Sequence, residues 1–422
     1  MAERTTIAHT TDAPTPSGLV EERGTGGRQR MLLALCFATL LVTGNGVAVS
    51  PFLLDMARDL GTDLAAVANL VALSSISWGL SSLFAGAASD RLGRKPLLVG
   101  GLCILIFSPL GVALAQTYPA VAAWRIIGGV GGGAFMGTVF ATVADRFPAR
   151  ERGRSLGWLT TGQSLSLVAG VPILTTLGGV FGWRGAFWAY GIAMIFAAGA
   201  VLLVVPSARG GAATTPPPFR ATLRLLRPPT IALLLAGLAE RLCYAALSVF
   251  LPTYLVQSYG VSLATLALAL AIIASGNLVG NLIGGRLGDR FQARGLVSAW
   301  SLAATGLLAL PVLLWQPGVV ASVALGFAYT LVNSVGRPVL LTALSEVSGE
   351  ARGAVLGLNI TGASVGWLTA TSIGGPLILN AGYGGLGAFT ATIGFVGALL
   401  ATGSWLGTRE ATRRVGSART LW

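Results

Sequence analysis

Twelve runs of mostly apolar residues, most of them 20 or longer and separated by short polar turns, leave this 422-residue chain few ways to fold. A bilayer's hydrocarbon core takes about 20 helical residues to cross, and within it every backbone polar group must be satisfied by the chain itself. The runs therefore read as membrane-spanning helices. In the first half they fall at 31–54, 64–88, 96–115, 119–143, 155–180 and 184–205; in the second at 229–256, 262–287, 295–315, 317–343, 353–380 and 383–407. Between the halves, residues 206–228 hold Pro216-Pro217-Pro218, Pro228 and four arginines, the composition of a linker and not of a domain. Residues 1–30, poor in apolar side chains, read as a disordered tail, and 408–422 as a short polar one. The first run is too long for the apolar segment of a signal peptide and eleven others follow it.

Lysine and arginine total 28 against 15 acids, a net charge of +13. In a soluble chain that excess would point to nucleic acid. With 54% hydrophobic and 10% charged residues, this chain is solvated by lipid instead, and the excess has a topological cause. All but six basic residues lie in the two tails, the linker, and the loops after the second, fourth, eighth and tenth spans. The opposite loops hold only Arg58 and Arg184, and Arg125, Arg241, Arg286 and Arg337 fall within spans. Basic residues are retained in cytoplasmic loops, so both termini are expected in the cytoplasm and no nucleic-acid partner is expected.

The lone histidine, His9, sits in the polar tail, and Cys36, Cys103 and Cys243 are isolated in apolar runs. No disulfide framework, metal spacing or catalytic cluster results, which argues against an enzyme and against any cofactor. The glycine run Gly128 to Gly133 lies inside a span with no strand before it and is not a phosphate loop.

The chain carries an internal repeat. Gly86-Ala87-Ala88-Ser89-Asp90-Arg91-Leu92-Gly93-Arg94-Lys95-Pro96 has a shorter second copy at Gly285-Arg286-Leu287-Gly288-Asp289-Arg290-Phe291, each with a glycine four residues before an Asp-Arg pair. Arg152-Gly153 returns as Arg352-Gly353, and Gly185-Ala186-Phe187 as Gly387-Ala388-Phe389, all displaced by about 200 positions. This is a parallel duplication of six spans. The loop motif resembles the signature of the major facilitator superfamily. Trp124-Arg125-Ile126-Ile127-Gly128-Gly129 resembles that family's intramembrane arginine motif, often associated with proton-coupled efflux. Gly162, Gly170, Pro172 and Gly178-Gly179 match its antiporter motif only in part.

The resemblance implies an all-α membrane protein of twelve spans in two pseudo-symmetric six-helix bundles, 31–205 and 229–407. It also implies a monomer in a bacterial cytoplasmic membrane. Its partners would be a small-molecule substrate, protons and the bilayer. Asp90, Arg91 and Arg94 would form a gate with Asp145 at the end of the fourth span, docking across the seam between bundles in the outward-open state. Asp289 and Arg290, with Glu346, would be a weaker counterpart. The first, fourth, seventh and tenth spans would line the cavity.

Those spans contain nearly all the buried charge. Arg125 should face the cavity or a partner, because a lipid-facing arginine is costly; the alternatives are snorkelling and structural pairing. Glu240, the only acid well inside a span, has its charged form disfavoured there and is the leading proton-coupling candidate, together with Arg125. A structural ion pair is the alternative. Neighbours on a helix point about 100° apart, so Glu240 and Arg241 are expected to face different places. Arg241, Arg337, Asn45, Tyr244 and Tyr329 are the candidate substrate contacts. Trp78, Phe135 and Trp367 either join them or pack, and Trp183 and Arg184 read as interfacial anchors. The function expected is export of a drug or metabolite by proton antiport; the alternative is transport of a small organic anion held by Arg241 and Arg337.

Overall fold

The computed structural model describes residues 17–206, 228–347 and 352–419; the tail before residue 17 and nearly all of the expected linker lie outside them. Among the described residues there are twelve α-helices. In the first half these are α1 (Ser17–Val47), α2 (Leu53–Asp59), α3 (Leu64–Leu92), α4 (Arg94–Leu114), α5 (Tyr118–Arg146), α6 (Ala149–Leu165) and α7 (Val171–Val204). In the second they are α8 (Pro228–Tyr259), α9 (Leu263–Arg290), α10 (Arg294–Leu314), α11 (Val319–Val347) and α12 (Arg352–Arg419). Among the described residues, ten continuous helical stretches are long and apolar enough to cross a membrane, two of them 52 and 51 residues long.

Those two cannot be single crossings, since about 50 residues of helix would measure roughly 75 Å. Each is broken at a glycine with left-handed backbone, Gly182 at φ 71° and Gly382 at φ 65°, a conformation that costs glycine nothing. The chain reverses at both. A methyl on Gly44 would meet both Ser166 and Tyr190, which stand on opposite sides of the Gly182 break. Likewise Gly366 packs on Arg241 while Gly397 packs on Ala239. The ten helices thus make twelve crossings, and the breaks are themselves 200 positions apart.

The duplication is repeated in detail. Asp63 caps α3 by accepting from the Ala66 N–H at 2.6 Å, and Ser262 caps α9 by accepting from the Thr265 N–H at 3.3 Å. In each bundle, glycines let one pair of backbones approach closely. Gly129, Gly133 and Gly137 of α5 lie against Ser74, Trp78 and Ser82 of α3; in the second half it is Gly276, Gly280 and Gly284 of α9 that lie against α11. The interface is preserved and the helix carrying the glycines is exchanged.

Four segments differ from the expectations. Residues 17–30 extend α1, and α12 runs on to Arg419, because a helix already nucleated in the membrane propagates outward without a new nucleation cost. The first span ends early: Ser50–Phe52 is a 3₁₀ turn around Pro51, which lacks the N–H that α1 would need to continue. In the fifth span a π turn, Ser166–Gly170, stands just before Pro172. Turns of this kind concentrate at functional sites.

The bundles meet near their outer ends, at Gly179 against Leu263 and Gly375 against Ala65, and at mid-span, at Gly79 against Ser364. Towards the inner face Gly153, Gly157, Gly357 and Gly362 face open space, and Trp158 and Ile360 are exposed. Among the described residues, these contacts between the bundles lie from mid-span outward.

Candidate functional site

At the inner face, Gly93 (φ 97°) turns α3 directly into α4 and places Arg94 beside the end of α5. Arg94 bridges Asp90 at 2.7 Å and Asp145 at 3.0 Å and also reaches Ser89. All of these belong to the N-terminal bundle. Arg91 is exposed. In the second copy Glu346 pairs with Arg294, which also donates to the Gly288 carbonyl at 2.7 Å, while Asp289 and Arg290 are exposed. The expected Asp289–Arg290–Glu346 grouping is thereby corrected. The effective cation of each copy opens the following helix, where it can reach across to the next span. Arg294 stands 200 positions after Arg94, and that spacing was the available signal.

Arg125 is 1% exposed and has no acidic partner among the described residues. Its guanidinium donates to the Asn45 carbonyl at 2.8 Å, the Gly46 carbonyl at 3.1 Å and the Ser74 hydroxyl at 3.0 Å. Asn45 and Gly46 lie in the last turn of α1, whose carbonyls have no intrahelical donors and carry the negative end of the helix dipole. The cation is thus balanced by a helix terminus, and it ties three spans together. Asn45 is itself buried at 2% exposure, so it packs within the bundle and does not face the cavity as expected.

In the C-terminal bundle, α8 carries Glu240 and Arg241. They face one another, contrary to the expectation from helical geometry. The Arg241 Nε donates to one Glu240 oxygen at 2.6 Å, and an Nη donates to the other. The Cβ directions diverge as helical geometry requires, but arginine's three methylenes are long enough to curl back around the helix. The guanidinium also lies 4.7 Å from the Tyr244 ring centre, a favourable cation–π placement. Trp367 meets the same ring edge-on at 6.1 Å. Arg337 is half-buried, within the electrostatic field of Glu240, Arg241 and Tyr244, and has no hydrogen-bond partner among the described residues. Tyr329 is fully buried and donates to the Cys243 carbonyl at 2.8 Å; it packs and does not contact the cavity.

A small cavity lies between the bundles from mid-membrane outward. Val47, Ser50 and Pro51 enter from the first span, Leu167 and Val171 from the fifth, and Tyr244, Leu247 and Ser248 from the seventh. Ile273 and Thr330 close it from the eighth and tenth. Of the candidate substrate residues only Tyr244 is on this wall. The fifth and eighth spans, absent from the expected lining, contribute through the π turn and its facing helix; Pro172 and the glycines around it were the sequence signal. Trp78 and Phe135 pack against glycines. Trp183 is 4% exposed and, with Arg184, donates to Asp59 at 2.8 and 2.6 Å. Both residues therefore clasp the outer loops together.

Comparison with known proteins agrees with this architecture. The family model described as Major Facilitator Superfamily matches residues 35–335 and 233–421. The chain is 25% identical over 378 residues to YwfA of Bacillus subtilis, an uncharacterized MFS-type transporter, covering 88% of this chain and 90% of the relative. It is 28% identical over 328 residues to a chloramphenicol resistance protein of Streptomyces lividans, covering 76% and 83%. Among solved structures, a D-xylose-proton symporter aligns with a TM-score of 0.72 at 17% identity, over 88% of this chain and 96% of that one. A bacterial homolog of the human lysosomal transporter Spinster, inward-facing and occupied, aligns at 0.70 and 15%, over 94% and 98%. At such identities the structures speak for the fold alone. The chain is a multi-pass membrane protein of twelve crossings, and with the family match running from residue 35 to residue 421 it belongs to the Major Facilitator Superfamily.

Proposed function

We propose that the chain exports a small organic solute across a bacterial cytoplasmic membrane by proton antiport. The observation that carries this reading is the continuity from Glu240 to Arg241 to Tyr244. Among the described residues Glu240 is the only buried carboxylate, and the aromatic ring stacked on its partner also forms the cavity wall. Protonation of Glu240 dissolves the ion pair and leaves Arg241 and Arg337 as uncompensated like charges. Their repulsion and need for water favour the inward-open arrangement, and proton release restores the pair. A few kcal/mol of such bias is enough to set the populations of two bundle arrangements. Relatives named chloramphenicol resistance proteins, in Streptomyces lividans and Pseudomonas aeruginosa, support export over uptake. Asp90, Arg94 and Asp145 act as the inner gate, docking on the other bundle when the outer side opens.

The test is flux in proteoliposomes with and without a pH gradient. Glu240→Gln is expected to abolish uphill transport while the protein still folds. Undiminished uphill flux removes Glu240 from the mechanism.

One observation favours a second reading, transport of an organic anion: Arg337 has no hydrogen-bond partner among the described residues. Arg241 is less suited to that role, since Glu240 already engages it through two hydrogen bonds.

A further inference from the structure

The two contacts between bundles near the outer ends are built alike. In α7, Gly178 and Gly179 stand side by side just before the break at Gly182; in α12, Gly374 and Gly375 stand before the break at Gly382. The first glycine of each pair packs inside its own bundle: a methyl on Gly178 would run into the Phe52 ring, and one on Gly374 into the Phe250 ring. Both phenylalanines are fully buried, and Phe52 is backed by Phe187 at 6.5 Å between ring centres. The second glycine of each pair faces the other bundle, Gly179 against Leu263 and Gly375 against Ala65. Leu263 and Ala65 each lie in the first turn of a helix whose start is fixed by a side-chain cap, Ser262 on α9 and Asp63 on α3. All of these positions follow the displacement of about 200 seen in the rest of the repeat.

The two contacts are nevertheless unequal. A methyl on Gly375 would lie 2.6 Å from the Ala65 Cα and 2.8 Å from its Cβ, whereas a methyl on Gly179 would lie 3.3 Å from the Leu263 Cβ. A side chain a few tenths of an ångström too close can give way, but a backbone atom in a capped first turn moves only with the whole of α3. The second and eleventh spans meet again at mid-span with the glycine on the other side, where a methyl on Gly79 would lie 2.8 Å from the Ser364 Oγ. Glycine therefore brings these two spans together at both levels, as small residues do between membrane helices. Pro376 offers a local reason for glycine at 375, since proline crowds the residue before it in a helix. It does not account for the close approach of Ala65, which belongs to the other bundle.

We propose that Gly375 is the closure residue of the outer side: the bundles come together there because position 375 presents bare backbone to the first turn of α3, while Gly179 is a looser counterpart that tolerates a side chain. Filling the space between Gly375 and Ala65 from either side holds the outer ends apart and shifts the population toward the arrangement in which they are separated. The first glycine of the α12 pair has a different task, seating the Phe250 ring within one bundle, so neighbouring residues of one motif divide between fold and closure. The control is steric and holds whatever solute or ion is carried.

The test is labelling of Ser248→Cys, on the cavity wall, by a membrane-impermeant maleimide added outside intact cells. The reporter is placed in the full chain with Cys36, Cys103 and Cys243 replaced by alanine. Gly375→Ala is expected to raise labelling at least about fivefold. Ala65→Leu fills the same space without touching the residue before Pro376 and is expected to do the same, with the melting temperature of the purified protein unchanged because the bundles part instead of straining. Gly179→Ala is expected to stay within about twofold of the parent. Gly374→Ala is the contrast: its methyl meets Phe250 inside one bundle, so it should lower the melting temperature by several degrees and leave labelling unchanged. Unchanged labelling in either Gly375→Ala or Ala65→Leu, or an equal rise in Gly179→Ala, overturns the proposal. A rise confined to Gly375→Ala would assign that glycine to Pro376 alone.

Discussion

The two bundles each bury an arginine and neutralise it in opposite ways. Arg125 lies among the end carbonyls of α1 and the Ser74 hydroxyl, groups that hold no exchangeable charge. Arg241 lies on the Glu240 carboxylate, a group that does. The first arrangement is insensitive to protons and fastens spans one, two and four together. The second is held by two hydrogen bonds and stands beside the cavity wall. On the function proposed above, the N-terminal arginine is scaffold and the C-terminal pair is the switch, although residue type and depth alone would class them together.

The largest effect expected is at Arg125. Replacing it with Met leaves two helix-end carbonyls without donors and should cost about 2–4 kcal/mol, read as a lowered melting temperature of the purified protein. Arg125→Lys should recover only part of this, because an ammonium lacks the planar fork that reaches two carbonyls and a hydroxyl at once. A stable Arg125→Met protein that loses only its proton coupling would collapse the distinction between the two sites.

At the other arginine the expectation reverses. Removing both charges together, Glu240→Gln with Arg241→Met, should change stability by about 1 kcal/mol or less, since a buried ion pair returns little more than its desolvation cost. Transport against a gradient should nevertheless be lost. A double variant that melts far below the parent would show the pair to be scaffold after all.

The smallest effects belong to the inner face, where solvent screens charge. Arg94→Gln, which removes two carboxylate contacts, should alter cysteine-probe accessibility on the two faces more than Arg294→Gln, which removes one. Stability should move by about 1 kcal/mol or less in either case. Equal responses would mean that the two repeats contribute alike to gating.

Much of the fold was legible because its constraints are local or periodic. Span lengths follow from bilayer thickness, sidedness from the basic loops, and the duplication from landmarks spaced by about 200. Even the two reversals were placed between the correct runs, at Gly182 and Gly382. The candidate site was legible only in its residue types. Tyr244 lies on the cavity wall with Arg241 against its ring, but Asn45 and Tyr329 were assigned to a wall they do not form, and Ser50, Leu167 and Thr330 were missed. Lining depends on where a span breaks and how it rotates, and the Pro51 turn and the π turn at Ser166–Gly170 alter both.

By itself the sequence determined that this chain crosses a membrane twelve times as two related halves with its charge on one face, because hydrophobic length and basic residues act through the bilayer and need no knowledge of neighbouring helices. Only the tertiary structure decided which charges neutralise which. It curled Arg241 back onto Glu240, gave Arg125 the end of α1, and made Arg294 the counterpart of Arg94. Each of those outcomes depends on side-chain reach across helices whose rotation and breaks are set by packing, and no local run of residues encodes that.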